Sequence, residues 1–129
     1  MVKKPKLTVK KVRNQADALL TPIVKTLNPK CLLCPNPTQV AHHHVHKSKS
    51  TRLRHELDNL IPLCNACHLK LHWDESYWAS VIVEIKGLAW FARLDRMKNE
   101  IVKADVLYYS MQLGKLRSIF NRLGEKYEA

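Results

Sequence analysis

All four cysteines of this chain sit in two CxxC pairs, Cys31/Cys34 and Cys64/Cys67, and no other feature constrains its fold as strongly. Each CxxC knuckle brings two thiolates close enough to share one ion, and two knuckles complete a tetrahedron. The spacing therefore predicts a structural Zn²⁺ site at Cys31, Cys34, Cys64 and Cys67, with free buried cysteines as the alternative. Such a site is closed, so it holds shape and does no chemistry. It would supply folding energy to a segment too short to bury a large core. Thiolate ligation also implies a reducing compartment. Residues 1–13 are basic and lack the apolar stretch of a secretory signal, and no apolar run reaches membrane-spanning length, so a cytoplasmic protein without a membrane span is expected.

The elements around the cysteines follow from periodicity. Residues 1–13 hold six basic and no acidic side chains and read as a flexible basic arm. Within 14–30, Leu19, Leu20, Ile23, Val24 and Leu27 recur at helical spacing and predict a short helix over 15–28, weakened or restarted at Pro22. Residues 38–46 and 60–63 read as strands joined by a polar basic loop, and a helix opening near Asn65 carries His68 and His72 one turn apart. Residues 31–73 thus predict a small ββα unit. In 74–129, Trp78, Val81, Ile82, Ile85, Leu88, Ala89 and Ala92 predict one helix of about 20 residues. Tyr109, Leu113, Leu116, Phe120 and Leu123 predict a second near 105–123. These two would form a hairpin against the metal unit or pair with a second chain; a monomer is favoured over a homodimer through them. The fold class is α+β, a metal-stapled finger flanked by helices.

Charge indicates the kind of partner. Residues 1–73 hold 13 basic and 3 acidic residues, net +10, whereas 74–129 hold 9 and 8, net +1. A field concentrated on one half implies a polyanion, most simply nucleic acid. Lys47, Lys49, Arg52 and Arg54 lie on the loop best placed to meet a phosphate backbone, where such contacts position the polymer without reading its sequence.

Five of the seven histidines, His42, His43, His44, His68 and His72, cluster around the cysteines, with His46 and His55 in the connecting segment. His68 follows Cys67 directly, so the zinc clamp sets where it points. His68 and His72 with one histidine of the 42–44 run form a nitrogen-rich set for a second, open divalent-metal site. Another histidine of that run is then free to deprotonate water, a task suited to an imidazole with an unperturbed pKa of about 6.5. Adjacent histidines on a strand point to opposite faces, so the two roles need the strand to twist or end there.

The segment CLLC–AHHHVHKSKS–DNLIPLCNACHLKLH resembles the HNH endonuclease family in its four-cysteine form. The resemblance covers residues 31–72 and implies a ββα-metal fold and metal-dependent cleavage of DNA. It implies His44 as general base, His43 and His68 as catalytic-metal ligands with His72 as a further one, and Asn59 as the residue that holds the base-bearing loop. A register shifted by one residue would instead make His42 the ligand and His43 the base; Val45 in the family's apolar position favours His43/His44. Mg²⁺ or Mn²⁺ is the implied catalytic ion, although a histidine-rich set also suits Ni²⁺ or Zn²⁺. The basic helical remainder looks like that of small phage-type members, which implies double-stranded or branched DNA in recombination, processing or packaging. The alternative function is a non-catalytic zinc-stapled DNA-binding protein.

Overall fold

A computed structural model describes residues 6–127; residues 1–5 of the expected arm and residues 128–129 lie outside them. Helix α1 spans Val9–Leu27, so residues 9–13 belong to a helix and not to the arm. Thr8 is extended, and its hydroxyl accepts the Lys11 N–H at 3.1 Å, satisfying one of the donors that a helix start leaves open. The apolar stripe also starts earlier than Leu19, since Val12 and Ala16 are buried with Leu20, Ile23 and Val24. Pro22 stands inside α1 and removes one backbone bond, a cost of roughly 3 kcal/mol in an isolated helix. Five buried apolar side chains outweigh it, and the helix continues.

The finger follows. The first knuckle is closed by a bridge between Lys30 and Pro37 and by the Cys31 N–H on the Asn36 carbonyl at 2.8 Å. Strand β1 (Val40–His43) pairs antiparallel with β2 (Leu60–Leu63), aligning Val40 with Leu63, His42 with Ile61 and His43 with Leu60. β1 is shorter than the predicted 38–46. It ends because the next backbone groups leave the ladder for Asn59: its carbonyl accepts the His44 N–H, and its side chain takes Val45. Helix α2 (Asn65–Trp73) opens at the second knuckle, where the Cys64 sulfur accepts the Cys67 N–H at 3.4 Å.

The helix predicted after Asp74 is two: α3 (Glu75–Lys86) and α4 (Leu88–Lys98). Gly87 separates them at φ 99°, a backbone state that residues with a Cβ rarely adopt. The break re-phases the apolar stripe. Ile82 is buried before it and Trp90 and Leu94 after it, whereas Ile85, Leu88, Ala89 and Ala92 face solvent. Helix α5 (Val106–Tyr127) does not form the predicted hairpin with its predecessor; it packs along α1.

Two apolar cores result. One joins Leu53, Ile61, Leu63 and Leu71 of the finger with Ile82, Trp90 and Leu94. The other joins the α1 stripe with Tyr109, Leu113 and Leu116 of α5 and with Leu60; Phe120, predicted in that stripe, is largely exposed. Because side chains alternate along a strand, Leu60 enters one core and Ile61 and Leu63 the other, so β2 is the wall between them. Among the described residues there are five α-helices and one two-stranded sheet, and no helix is long and apolar enough to cross a membrane.

Candidate metal centres and histidine cleft

The four cysteine sulfurs all lie within 4.8 Å of one another, with Cys34 and Cys64 at 3.5 Å. Tetrahedral Zn–S bonds of about 2.3 Å require sulfurs about 3.8 Å apart, so the donor set and its spacing fit a structural Zn²⁺. Cys31, Cys64 and Cys67 are buried. The Cys67 N–H on its sulfur lowers the Cys64 thiol, whereas burial and the neighbouring sulfurs raise that of Cys67, as expected of thiols crowded together.

A cleft of about 180 Å³ opens beside this cluster, lined by His42, His43, His46, Lys47, His68 and His72 with Ala41. β1 supplies His42, whose ring centroid lies 5.3 Å from that of His68; His68 and His72, one turn apart on α2, are 4.5 Å apart. Among the described residues only the cysteines gather all their ligand atoms within 4.8 Å, so the histidine set is the looser of the two. His42 is buried, and its pKa is pushed down to about 3 by that burial and by the neighbouring His68 and His46. A neutral imidazole is the form that ligates a metal. Burial, and then its neighbour His72, lowers His68 as well.

His43, on the opposite face of β1, gives its Nε2–H to the Arg54 carbonyl at 2.9 Å, leaving Nδ1 with the lone pair. Burial lowers its pKa, partly opposed by that carbonyl. His44 does not line the cleft: its ring packs on Trp90, centroids 4.8 Å apart. His42, His43, His68 and His72 line one cavity; His44 is not among its lining residues but stands beside them, its pKa lowered by burial and then by the neighbouring His46.

Asn59 is fully buried and completely satisfied. Its Oδ1 accepts the Val45 N–H at 2.8 Å, and its Nδ2 donates to the carbonyls of Val45 (2.9 Å) and Leu53 (3.3 Å). The 44–59 segment is tied at both ends by this one side chain. Two helices outside the finger hold it too. The Trp90 indole N–H of α4 donates to the Asp58 carbonyl at 2.8 Å, with Arg93 on the Asp58 carboxylate, and Asp17 of α1 binds both Arg54 and His55.

The basic loop divides. Lys47 and Lys49 are exposed, and Lys47 lines the cleft. Arg52 is instead paired with Glu56 and Glu100, and Arg54 with Asp17. One cleft group, His46, and its partner Glu75 escape sequence reasoning. His46 carries no pattern signal beyond lying near the cluster. Glu75, which hydrogen-bonds the His46 imidazole and is held below its usual carboxylate value by that bond, lies 29 residues away.

Residues 31–74 match the family model of HNH endonuclease. No curated protein and no solved structure matches the chain. The match points to nuclease-type function, and hence to a nucleic-acid substrate, for the segment that holds both clusters.

Proposed function

We propose, from the HNH match over 31–74 and the cleft it contains, that this protein is a metal-dependent endonuclease hydrolysing DNA phosphodiesters, with His43 as general base and His42, His68 and His72 as the catalytic-metal ligands. The observation that carries this reading is the sharing of one cleft by two kinds of histidine. The rings of His42, His68 and His72 stand side by side, and His43 is held by a backbone carbonyl. The one-residue shift of ligand and base relative to the register favoured by Val45 rests on the same geometry.

In this reading His43 takes the proton of an attacking water on Nδ1, and the resulting hydroxide attacks phosphorus in line with the leaving oxygen, which acquires a proton from solvent. The Arg54 carbonyl keeps the ring in the tautomer that can do so. A divalent ion at His42, His68 and His72, Mg²⁺ or Mn²⁺ with Ni²⁺ or Zn²⁺ also suited to imidazoles, would supply charge stabilisation at the scissile phosphate. Lys47 and Lys49 contact flanking phosphates, which makes binding salt-dependent and weakly selective for sequence. All of these groups come from one chain, so a monomer suffices.

The test is cleavage of supercoiled, linear and four-way-junction DNA by wild type, His43→Ala and His44→Ala, metal-free and with Mg²⁺, Mn²⁺ or Ni²⁺ added. Wild type should cut only with metal, and His43→Ala should lose at least about 100-fold in rate while keeping DNA affinity. His44→Ala should stay within a few-fold of wild type. The reverse pattern would restore the base to His44, and binding without cutting by all three would leave a non-catalytic zinc-stapled DNA-binding protein.

A further inference from the structure

The histidine that lines the cleft as a base is held by a carbonyl, and that carbonyl belongs to a segment with weak local bonds. Within 50–56 the backbone ties are long: Leu53 N–H to the Ser50 hydroxyl at 3.2 Å, Arg54 N–H to the Thr51 carbonyl at 3.3 Å, and Glu56 N–H to the Leu53 carbonyl at 3.2 Å. These lie at or beyond the edge of good N–H···O geometry. The strong ties come from elsewhere. Asp17, two turns into α1, takes the Arg54 guanidinium in a two-pronged grip, Nε to Oδ1 at 3.0 Å and Nη2 to Oδ2 at 2.6 Å. The same Oδ1 accepts the His55 Nε2–H at 2.7 Å.

One carboxylate therefore holds the side chains of two consecutive residues, and the first of those residues presents the carbonyl that accepts His43 Nε2–H. Charge-assisted, bidentate bonds are about twice as strong as neutral ones and fix orientation as well as distance. The Arg54 side chain is 15% exposed and that of His55 2%, so water competes little for either. Asp17 lies outside the matched 31–74 segment.

We infer that Asp17 is a positioning residue for the cleft: through Arg54 and His55 it sets where the Arg54 carbonyl stands, and through that carbonyl it orients His43. The inference rests on the reading of His43 as base. It also explains why a cationic loop residue beside a polyanion site is neutralised, because Arg54 serves the loop and not the substrate.

The experiment compares wild type, Asp17→Asn, Arg54→Lys and Arg54→Gln as full-length, zinc-loaded protein. The Asp17→Asn change keeps the side-chain shape and removes the charge and one acceptor oxygen, whereas Arg54→Lys keeps the charge and removes the fork. The readouts are kcat and KM for a DNA duplex, zinc content, thermal midpoint, and the His43 imidazole tautomer by ¹⁵N NMR. Asp17→Asn and Arg54→Gln should lower kcat about 10- to 100-fold with KM nearly unchanged, the scale expected when a reacting group is misplaced by about 1 Å. Arg54→Lys should fall between them and wild type. In each impaired variant the His43 signal should change from a single Nε2–H tautomer to a mixture, with zinc retained.

Unchanged kcat and an unchanged His43 tautomer in folded Asp17→Asn overturn the inference. So does a loss of activity that only follows the unfolded fraction. Should Asp17→Asn not fold, the two Arg54 variants decide it, since they leave α1 intact. Absence of cutting by wild type on any DNA would instead defeat the nuclease reading, and the tautomer measurement would still judge the clamp.

Discussion

The cysteine cluster and the histidine cleft are neighbours on one finger, joined where Cys67 meets His68, yet they are held together by different means. The sulfurs are gathered within 4.8 Å and three of the four cysteines are buried. The finger alone supplies them, from one knuckle before β1 and one at the start of α2. The histidines are spread over a partly open cleft, with His46 and His72 exposed and only His42 buried. Their loop is braced from outside, by Asp17 on α1 and by Trp90 and Arg93 on α4. A closed, fully ligated ion fixes shape. A site meant to admit water and a phosphate has to stay open, and an open site obtains its precision from the elements packed around it.

That contrast can be broken first at the sulfurs. Cys67→Ser should abolish zinc binding and unfold the finger core, because the apparent binding energy of a structural zinc, about 10–16 kcal/mol, exceeds what so small a core supplies. Zinc content and far-ultraviolet circular dichroism would show it; a folded, zinc-free Cys67→Ser protein would mean that the apolar core suffices. The comparison of His43→Ala with His44→Ala proposed above reads out cleavage, and both variants should keep zinc and fold.

The external brace is tested at Trp90. Its buried indole packs on His44 and donates to Asp58, so Trp90→Ala should cost about 3–5 kcal/mol in denaturant unfolding while zinc stoichiometry stays the same. A loss of zinc in the folded variant would show the two regions to be less separable than drawn. Asn59→Ala should cost less, about 1–3 kcal/mol, by leaving the Val45 N–H and the carbonyls of Val45 and Leu53 without their partner.

The smallest effect is a pH dependence. Burial raises the Asp17 pKa, but the bonds and charges of Arg54 and His55 outweigh it and hold the carboxyl well below its usual range. A carboxylate depressed by folding contributes stability above its unfolded value of about 3.9 and loses it as pH falls through the folded one. The stability gap between wild type and Asp17→Asn should therefore be full at pH 6 and shrink below about pH 4, where the unfolded-state carboxyl is protonated. A gap that is constant with pH would remove charge from the account of the clamp.

Much of this was readable along the chain. The two CxxC pairs predict a sulfur site by spacing, and the strand-like runs at 38–46 and 60–63 followed by a helix opening near Asn65 announce the ββα order. Strand β2 and helix α2 fall where their residues indicate, because their periods and caps are local properties. Local pattern also contained the early start of α1, in Thr8, Val12 and Ala16, upstream of the interruption that Pro22 suggests.

Three things needed the folded molecule. The break at Gly87 re-phased the stripe beyond it, and no periodicity continued across the gap could place Trp90 and Leu94 inward and Leu88 outward. Arg52 has a local partner in Glu56, but its second partner, Glu100, and the Arg54 partner, Asp17, are 48 and 37 residues distant, so those pairings needed the chain to close on itself. The third is the phase of His42-His43-His44. Alternation along a strand fixes that neighbours face opposite sides, but not which side is which. Pairing of His42 with Ile61, burial of Leu60 and Ile61 in opposite cores, and the packing of α2 over β1 decided it, since a shift of one residue exchanges every face at once.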